Sequence, residues 1–115
     1  MAQHNETGKY GESVAVDFLK QNGYTILEQN WRYSRNEIDI IAKDPDDTIV
    51  FVEVKARSTA YFGYPEEAVS TKKQQLLLEA ANEYLVEQGL ENELRFDIIA
   101  IIFAGKEVQD IRHFR

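Results

Sequence analysis

Two stretches decide the fold of this chain: NEIDIIAK at positions 36–43 and TIVFVEVKAR at 48–57, joined by DPDD at 44–47. Each has the apolar weight of a strand inside a sheet, yet each carries charges where apolar residues are expected. In the second, Val50, Val52, Val54 and Ala56 form one face, while the other begins with Ile49 and Phe51 and turns to Glu53, Lys55 and Arg57. Side chains alternate along a strand, so Glu53 and Lys55 stand side by side. In the first, alternation puts Ile38, Ile40 and Ala42 on one face and Glu37, Asp39 and Ile41 on the other. Asp44, Pro45, Asp46 and Asp47 are turn formers, which predicts an antiparallel hairpin. A register centred on Asp46 sets Asp39 opposite Glu53, with Cβ atoms roughly 4.5–5.5 Å apart.

Half-buried charges lose hydration and cost folding energy, a cost tolerated most often where function needs it. Two carboxylates that close repel unless a proton or a cation lies between them. With oxygen ligands only and no cysteine in the chain, the expected cation is hard, Mg²⁺ or Mn²⁺. The bland alternative is a cross-strand ladder of surface ion pairs. Against it, Ile49 and Phe51 share the face of Glu53, so that face is partly covered.

The 115 residues make one domain, spanning 1–115, with ordinary hydrophobic and charged fractions of 43% and 29%. No apolar run approaches the roughly 20 residues of a membrane span, and the first residues lack a signal-peptide layout. The expectation is a cytoplasmic protein without a membrane partner. A net charge of −7 argues against a general nucleic-acid coat protein. Enzymes that hold phosphodiesters through metal ions are a partial exception, because the metal supplies charge that the formal count omits.

Along the chain, residues from about Thr7 to Asn22 read as a helix, with Tyr10, Val14, Phe18 and Leu19 as its apolar stripe and Gly23 as its stop. Tyr24 to Tyr33 reads as a strand, with Tyr24, Ile26 and Glu28 on one face. The hairpin follows, then a loop from Ser58 to Ala68 that holds Tyr61, Phe62 and Tyr64. Ser70 or Thr71 caps a second helix running to about Gln88, with Leu76, Leu77, Ala80, Ala81, Tyr84 and Leu85 buried and Gly89 as its stop. Arg95 to Ala104 is apolar enough to be covered on both faces, and Glu107 to Phe114 forms a last strand. The order of helix, three strands, helix and two strands predicts an α/β fold of three layers, a mixed sheet flanked by helices with a parallel crossover.

Other charged positions are more ambiguous. Glu12 stands off the helix stripe, as a solvated glutamate would. Glu37 could be another ligand or the partner of Arg32 or Arg35. Lys72 and Lys73, at a helix N-terminus, would welcome an anion or stand as a solvated pair, and Arg57 adds a further cation near the patch. Tyr61 and Tyr64 could stack on bases or cover the core. Asp97, inside the most apolar strand, suits a hydrogen-bonded structural acid, and His4 and His113 have no metal-ligand spacing.

The strings Arg35 to Ala42 and Phe51 to Arg57, with Gly8, Gly11 and Glu12, Asn30-Trp31-Arg32, and the stretch from Phe62-Gly63 to Lys72-Lys73, resemble the YraN-type family of uncharacterised bacterial proteins. That family belongs to the PD-(D/E)xK nuclease superfamily and is similar to archaeal Holliday-junction resolvases. The resemblance implies a restriction-endonuclease-like core and a Mg²⁺- or Mn²⁺-dependent nuclease. By position, Asp39 matches the metal-binding acid, Glu53 the second acid, Lys55 the catalytic lysine and Glu12 the helix-borne glutamate. It also implies nucleic acid as partner, DNA foremost, with Lys72, Lys73, Arg57, Tyr61 and Tyr64 as contacts, and raises a homodimer like that of the resolvases. Asn36 departs from the family's usual glycine, and asparagine tolerates a positive φ better than most residues. The rival is a nucleic-acid-binding or protein-interaction module that keeps the fold without turnover.

Overall fold

A computed structural model describes the backbone of residues 2–58 and 71–115 and the side chains of 9–57 and 74–115. Tyr61, Phe62 and Tyr64, the side chains of Lys72 and Lys73, and His4 lie outside the described residues. The elements follow the expected order: α1 (Ala2–Gln21), β1 (Thr25–Tyr33), β2 (Asn36–Lys43), β3 (Ile49–Ser58), α2 (Thr71–Gln88), β4 (Leu94–Ala104) and β5 (Glu107–Phe114). The strands form one five-stranded sheet in sequence order. Only the β3–β4 neighbours are parallel, because α2 carries the chain back across the sheet between them.

The turn between β2 and β3 fixes their register. The Asp44 carboxylate accepts the amides of Asp46 at 2.8 Å and Thr48 at 3.0 Å, and Asp47 takes a φ of 73°. The pairs run from Lys43↔Ile49 to Ile40↔Val52, the register that the turn composition predicts.

Each face of the sheet receives one helix. On one, Ala15, Val16 and Leu19 of α1 pack on Ile40, Ala42, Val50, Val52, Ile99 and Ile101. On the other, Ala80, Ala81, Tyr84 and Leu85 of α2 pack on Ile38, Ile41, Ile49 and Phe51. The alternation of β3 holds along its length, with Val54 and Ala56 on the α1 face.

Gly11 explains how closely α1 sits. A Cβ there would come 2.9 Å from the Cβ of Ala56, so only glycine admits this approach, and the contact brings its neighbour Glu12 down onto the sheet. Gly11→Ala should lower stability by about 1–3 kcal/mol through overpacking. A urea melt checks it: an unchanged midpoint would mean that α1 shifts without cost.

Several sequence expectations need correction. Tyr10 is 49% exposed, although it stacks on Phe103 with ring centroids 5.3 Å apart; Gly11 and Ala15 take the buried positions instead. Leu76 is 37% exposed and lies outside the α2 stripe. Glu28 does not share a face with Tyr24 and Ile26, because the β1–β2 register slips between Ile26 and Glu28. One extra residue, Leu27, turns into the α2 cluster, and Glu28 follows it close enough to add its charge to the burial that raises the pKa of Tyr84. Asn36 needs no positive φ; the left-handed residues near it are Asn30 and Ser34.

Candidate active site

Asp39 sits where the β2–β3 hairpin stops pairing. Its rung would be Asp39 opposite Glu53, but the ladder ends one pair earlier, at Ile40↔Val52. The missing bond is replaced: the Val54 amide donates to the Asp39 carboxylate (Oδ2) at 2.8 Å. Ile38 and Ile40, two residues apart, therefore face opposite sides of the sheet, Ile38 toward α2 and Ile40 toward α1. Simple alternation puts both on one face, and the break at Asp39 overturns that expectation.

Glu53 and Lys55 share a face, as the strand period requires. Lys55 Nζ lies 3.1 Å from Glu53 Oε1, with side chains 21% and 20% exposed. Glu37, Asp39 and Glu53 line a cleft of about 520 Å³ whose walls include Phe51, Leu77, Leu78, Phe96 and Ile98. Glu37 also pairs with Arg32 at 3.4 Å on the exposed side, the structural partnership weighed for it from sequence.

The electrostatics of Asp39 are unusual for an aspartate. Burial pushes its pKa up, the Val54 amide draws it down, and the charges of Glu12, Glu53 and Glu37 push it up again, to about 6. Three other carboxylates thus bear on Asp39. Burial likewise raises the pKa of Glu12, opposed by a hydrogen bond from the Asn30 side chain and reinforced by Glu37. Glu12 nevertheless lines a separate groove on the α1 side with Lys9, Ser13, Gln29 and Asn30. Asp39 and Glu53 share one cleft and Lys55 is paired with Glu53, whereas Glu12 reaches Asp39 through charge.

Residues 11–101 match the uncharacterised protein family UPF0102. The chain belongs to this family. A UPF0102 protein of Flavobacterium psychrophilum is 49% identical over 114 residues, covering 99% of this chain and 94% of the relative. One from Clostridioides difficile is 45% identical, covering 94% of this chain and 95% of the relative. One from Chlorobium phaeobacteroides is 46% identical, covering 90% and 82%. Each relative carries only the family's name, so UPF0102 membership fixes kinship and leaves activity to the chemistry of the site.

Among the described residues, no group of three or more Asp, Glu or His side chains stands ready to hold a metal ion. The donor set still suits a hard cation. Mg²⁺ is commonly held by one or two carboxylates, with water and substrate phosphate completing its octahedron. Asp39 and Glu53 supply two carboxylates, and the pKa of Asp39, raised first by burial and then by its acidic neighbours, is one that a nearby cation would draw back down. Arg57 donates from Nη1 to the Ala56 carbonyl at 2.9 Å. Its place on β3 is as expected for a nearby cation. Lys72 and Lys73 fall in the first turn of α2.

Sequence reasoning assigned no role to His113, which lies in a second charged group on the α1 face. Asp97, 3% exposed, accepts from Arg95 Nε at 2.8 Å and Nη2 at 3.0 Å. His113 Nε2 lies 2.6 Å from Oδ2, the oxygen that also accepts from Nη2. Arg95 also donates to Asp44 and to the Tyr24 hydroxyl, tying β4 to the hairpin turn and to the start of β1. Burial pushes the Asp97 pKa up, but His113 and Arg95 outweigh it and the net shift is downward. The structural role expected for Asp97 fits these bonds. Arg95→Ala should cost about 2 kcal/mol, below the full penalty for orphaning a buried charge because Arg95 keeps some solvent contact. A loss under about 0.5 kcal/mol in denaturant melts would show that His113 alone satisfies Asp97.

Proposed function

We propose that this protein is a Mg²⁺- or Mn²⁺-dependent nuclease of the PD-(D/E)xK type. It would act in the cytoplasm on phosphodiester bonds of nucleic acid, DNA foremost, structured or branched forms included. The observation that carries the proposal is that Asp39 and Glu53 line one cleft where β2 and β3 stop pairing, with Lys55 held 3.1 Å from Glu53. Asp39 and Glu53 would hold the cation. When bound, it would polarise a phosphoryl oxygen and lower the pKa of a coordinated water. Lys55 presents a positive charge beside Glu53 and would orient the attacking water or steady the charge that grows on the phosphate. Glu12 lines a separate groove and would join the metal shell only by reaching across to the cleft. Lys72, Lys73, Arg57, Tyr61 and Tyr64 remain the proposed nucleic-acid contacts, and a homodimer the proposed assembly.

Two observations favour a second reading, a binding module that keeps the fold without turnover. The net charge is −7, and no ready-made three-acid metal group occurs among the described residues. Calorimetry with Mg²⁺ or Mn²⁺ separates the two. A nuclease should give a binding heat that Asp39→Ala removes, whereas the absence of any such heat in the parent protein favours the module.

A further inference from the structure

Asn30 lies on the rung opposite Asp39. The β1–β2 pairs run Glu28↔Ile41, Gln29↔Ile40, Trp31↔Ile38 and Arg32↔Glu37, and the rung left out is Asn30 with Asp39. Asn30 has a φ of 54°, in the left-handed region that costs most residues about 1–2 kcal/mol and asparagine less. The consequence is visible on both strands. Asn30 shares the α1-side groove with its neighbour Gln29, while Trp31 packs with the α2 cluster, so β1 loses its alternation there. Across the rung, β2 does the same at Asp39, with Ile40 on the α1 side and Ile38 on the α2 side. Two adjacent strands reverse their faces at one level of the sheet.

We propose that Asn30 is a positioning residue: its left-handed backbone sets the paired reversal that frees Asp39 from the ladder and turns its carboxylate onto the Val54 amide, beside Glu53. The physical chain is short. An all-extended β1 would keep its face through position 30 and hold β2 in register at position 39. The Asp39 side chain would then stand perpendicular to the sheet, out of line with a β3 amide. With the reversal, the carboxylate lies across the gap between β2 and β3, where the Val54 N–H meets it at 2.8 Å. The Asn30 side chain meanwhile bonds to Glu12. One residue therefore shapes the strand under Asp39 and tethers the helix-borne acid. That Asp39 is a metal ligand rests on the nuclease reading; the role of Asn30 in aiming it does not.

The test compares Asn30→Gly, which accepts the left-handed conformation freely, with Asn30→Val, whose β-branched side chain resists it and favours an extended strand. The readout is the Val54 backbone amide in a ¹H–¹⁵N spectrum of the whole chain, with Mg²⁺ titration in parallel. Asn30→Gly should keep the parent's Val54 resonance and its protection from exchange. Asn30→Val should lose both and weaken Mg²⁺ binding by about 10–100-fold, the usual cost of disturbing the support of a metal ligand. Should Asn30→Val fail to fold, Asn30→Ala serves in its place with the same expectations. A folded Val or Ala variant with the parent's Val54 signal overturns the proposal, as does a Gly variant that loses it. A parent that binds no Mg²⁺ counts against the nuclease reading, and the Val54 comparison still decides the role of Asn30.

Discussion

Lys55→Ala should lower metal-dependent cleavage by about 10²–10³-fold, the loss typical when one donor to a developing oxyanion is removed, while leaving Mg²⁺ affinity intact. The separation follows from geometry. Lys55 stands 3.1 Å from Glu53 on the same face of β3 and brings no ligand atom of its own. Removing its charge leaves Glu53 more strongly negative, which favours a cation if it changes anything. Lys55 is a partly buried side chain that belongs to neither core cluster, so its loss should disturb the fold little. Single-turnover cleavage beside calorimetry measures both quantities. A parallel collapse of metal affinity would make Lys55 a structural counter-ion, and undiminished cleavage would remove it from the chemistry.

Asp39→Asn carries two large effects of opposite sign. Cleavage and metal binding should be lost together, because the amide is a poor ligand for a hard cation. The metal-free protein should become more stable at neutral pH. The sign follows from the protonation of the two states. The Asp39 pKa rises from an ordinary 3.8 to about 6 in the folded chain, so the folded state holds the proton more tightly than the unfolded one. The resulting stability is fully present below about pH 4 and is lost as pH rises through about 6. Above that range the ionised carboxylate opposes folding by up to about 3 kcal/mol. Asparagine cannot ionise, yet its carbonyl can still accept the Val54 amide. The variant should therefore gain about 1–3 kcal/mol over the parent at pH 7.5 and little at pH 4. Saturating Mg²⁺ should narrow the gap by stabilising the parent alone. A variant less stable than the parent at pH 7.5 would mean that the Asp39–Val54 bond needs the charge more than the fold resents it.

Such a site is partly legible in the bare sequence, and the boundary has a physical cause. The turn residues and the period of two in β3 were enough to give the β2–β3 register and the shared face of Glu53 and Lys55, because both depend on neighbouring residues alone. The helix stops at Gly23 and Gly89 were legible for the same reason; both glycines take a positive φ. The reversal at Asn30 and Asp39 was not, since no glycine announces it and asparagine is common in ordinary loops. Ile38 was placed on the wrong face as a direct result, while Glu28 was misplaced by the separate register slip between Ile26 and Glu28. The bonding of Asp97 with His113 spans 16 positions and that of Arg95 with Asp44 spans 51, and no local pattern signals partners so far apart. Tyr10 and Leu76 show a different limit: helical spacing names a stripe, but the sheet's extent decides which of its ends is covered.

No helix among the described residues is long and apolar enough to cross a membrane. The most direct measurement incubates the purified chain with duplex, single-stranded, flapped and branched substrates, with Mg²⁺, with Mn²⁺ and with chelator, alongside Asp39→Asn prepared identically. The account predicts cleavage of at least one substrate that requires the metal and disappears in the variant. Cleavage by neither protein, or equal cleavage by both, would contradict it.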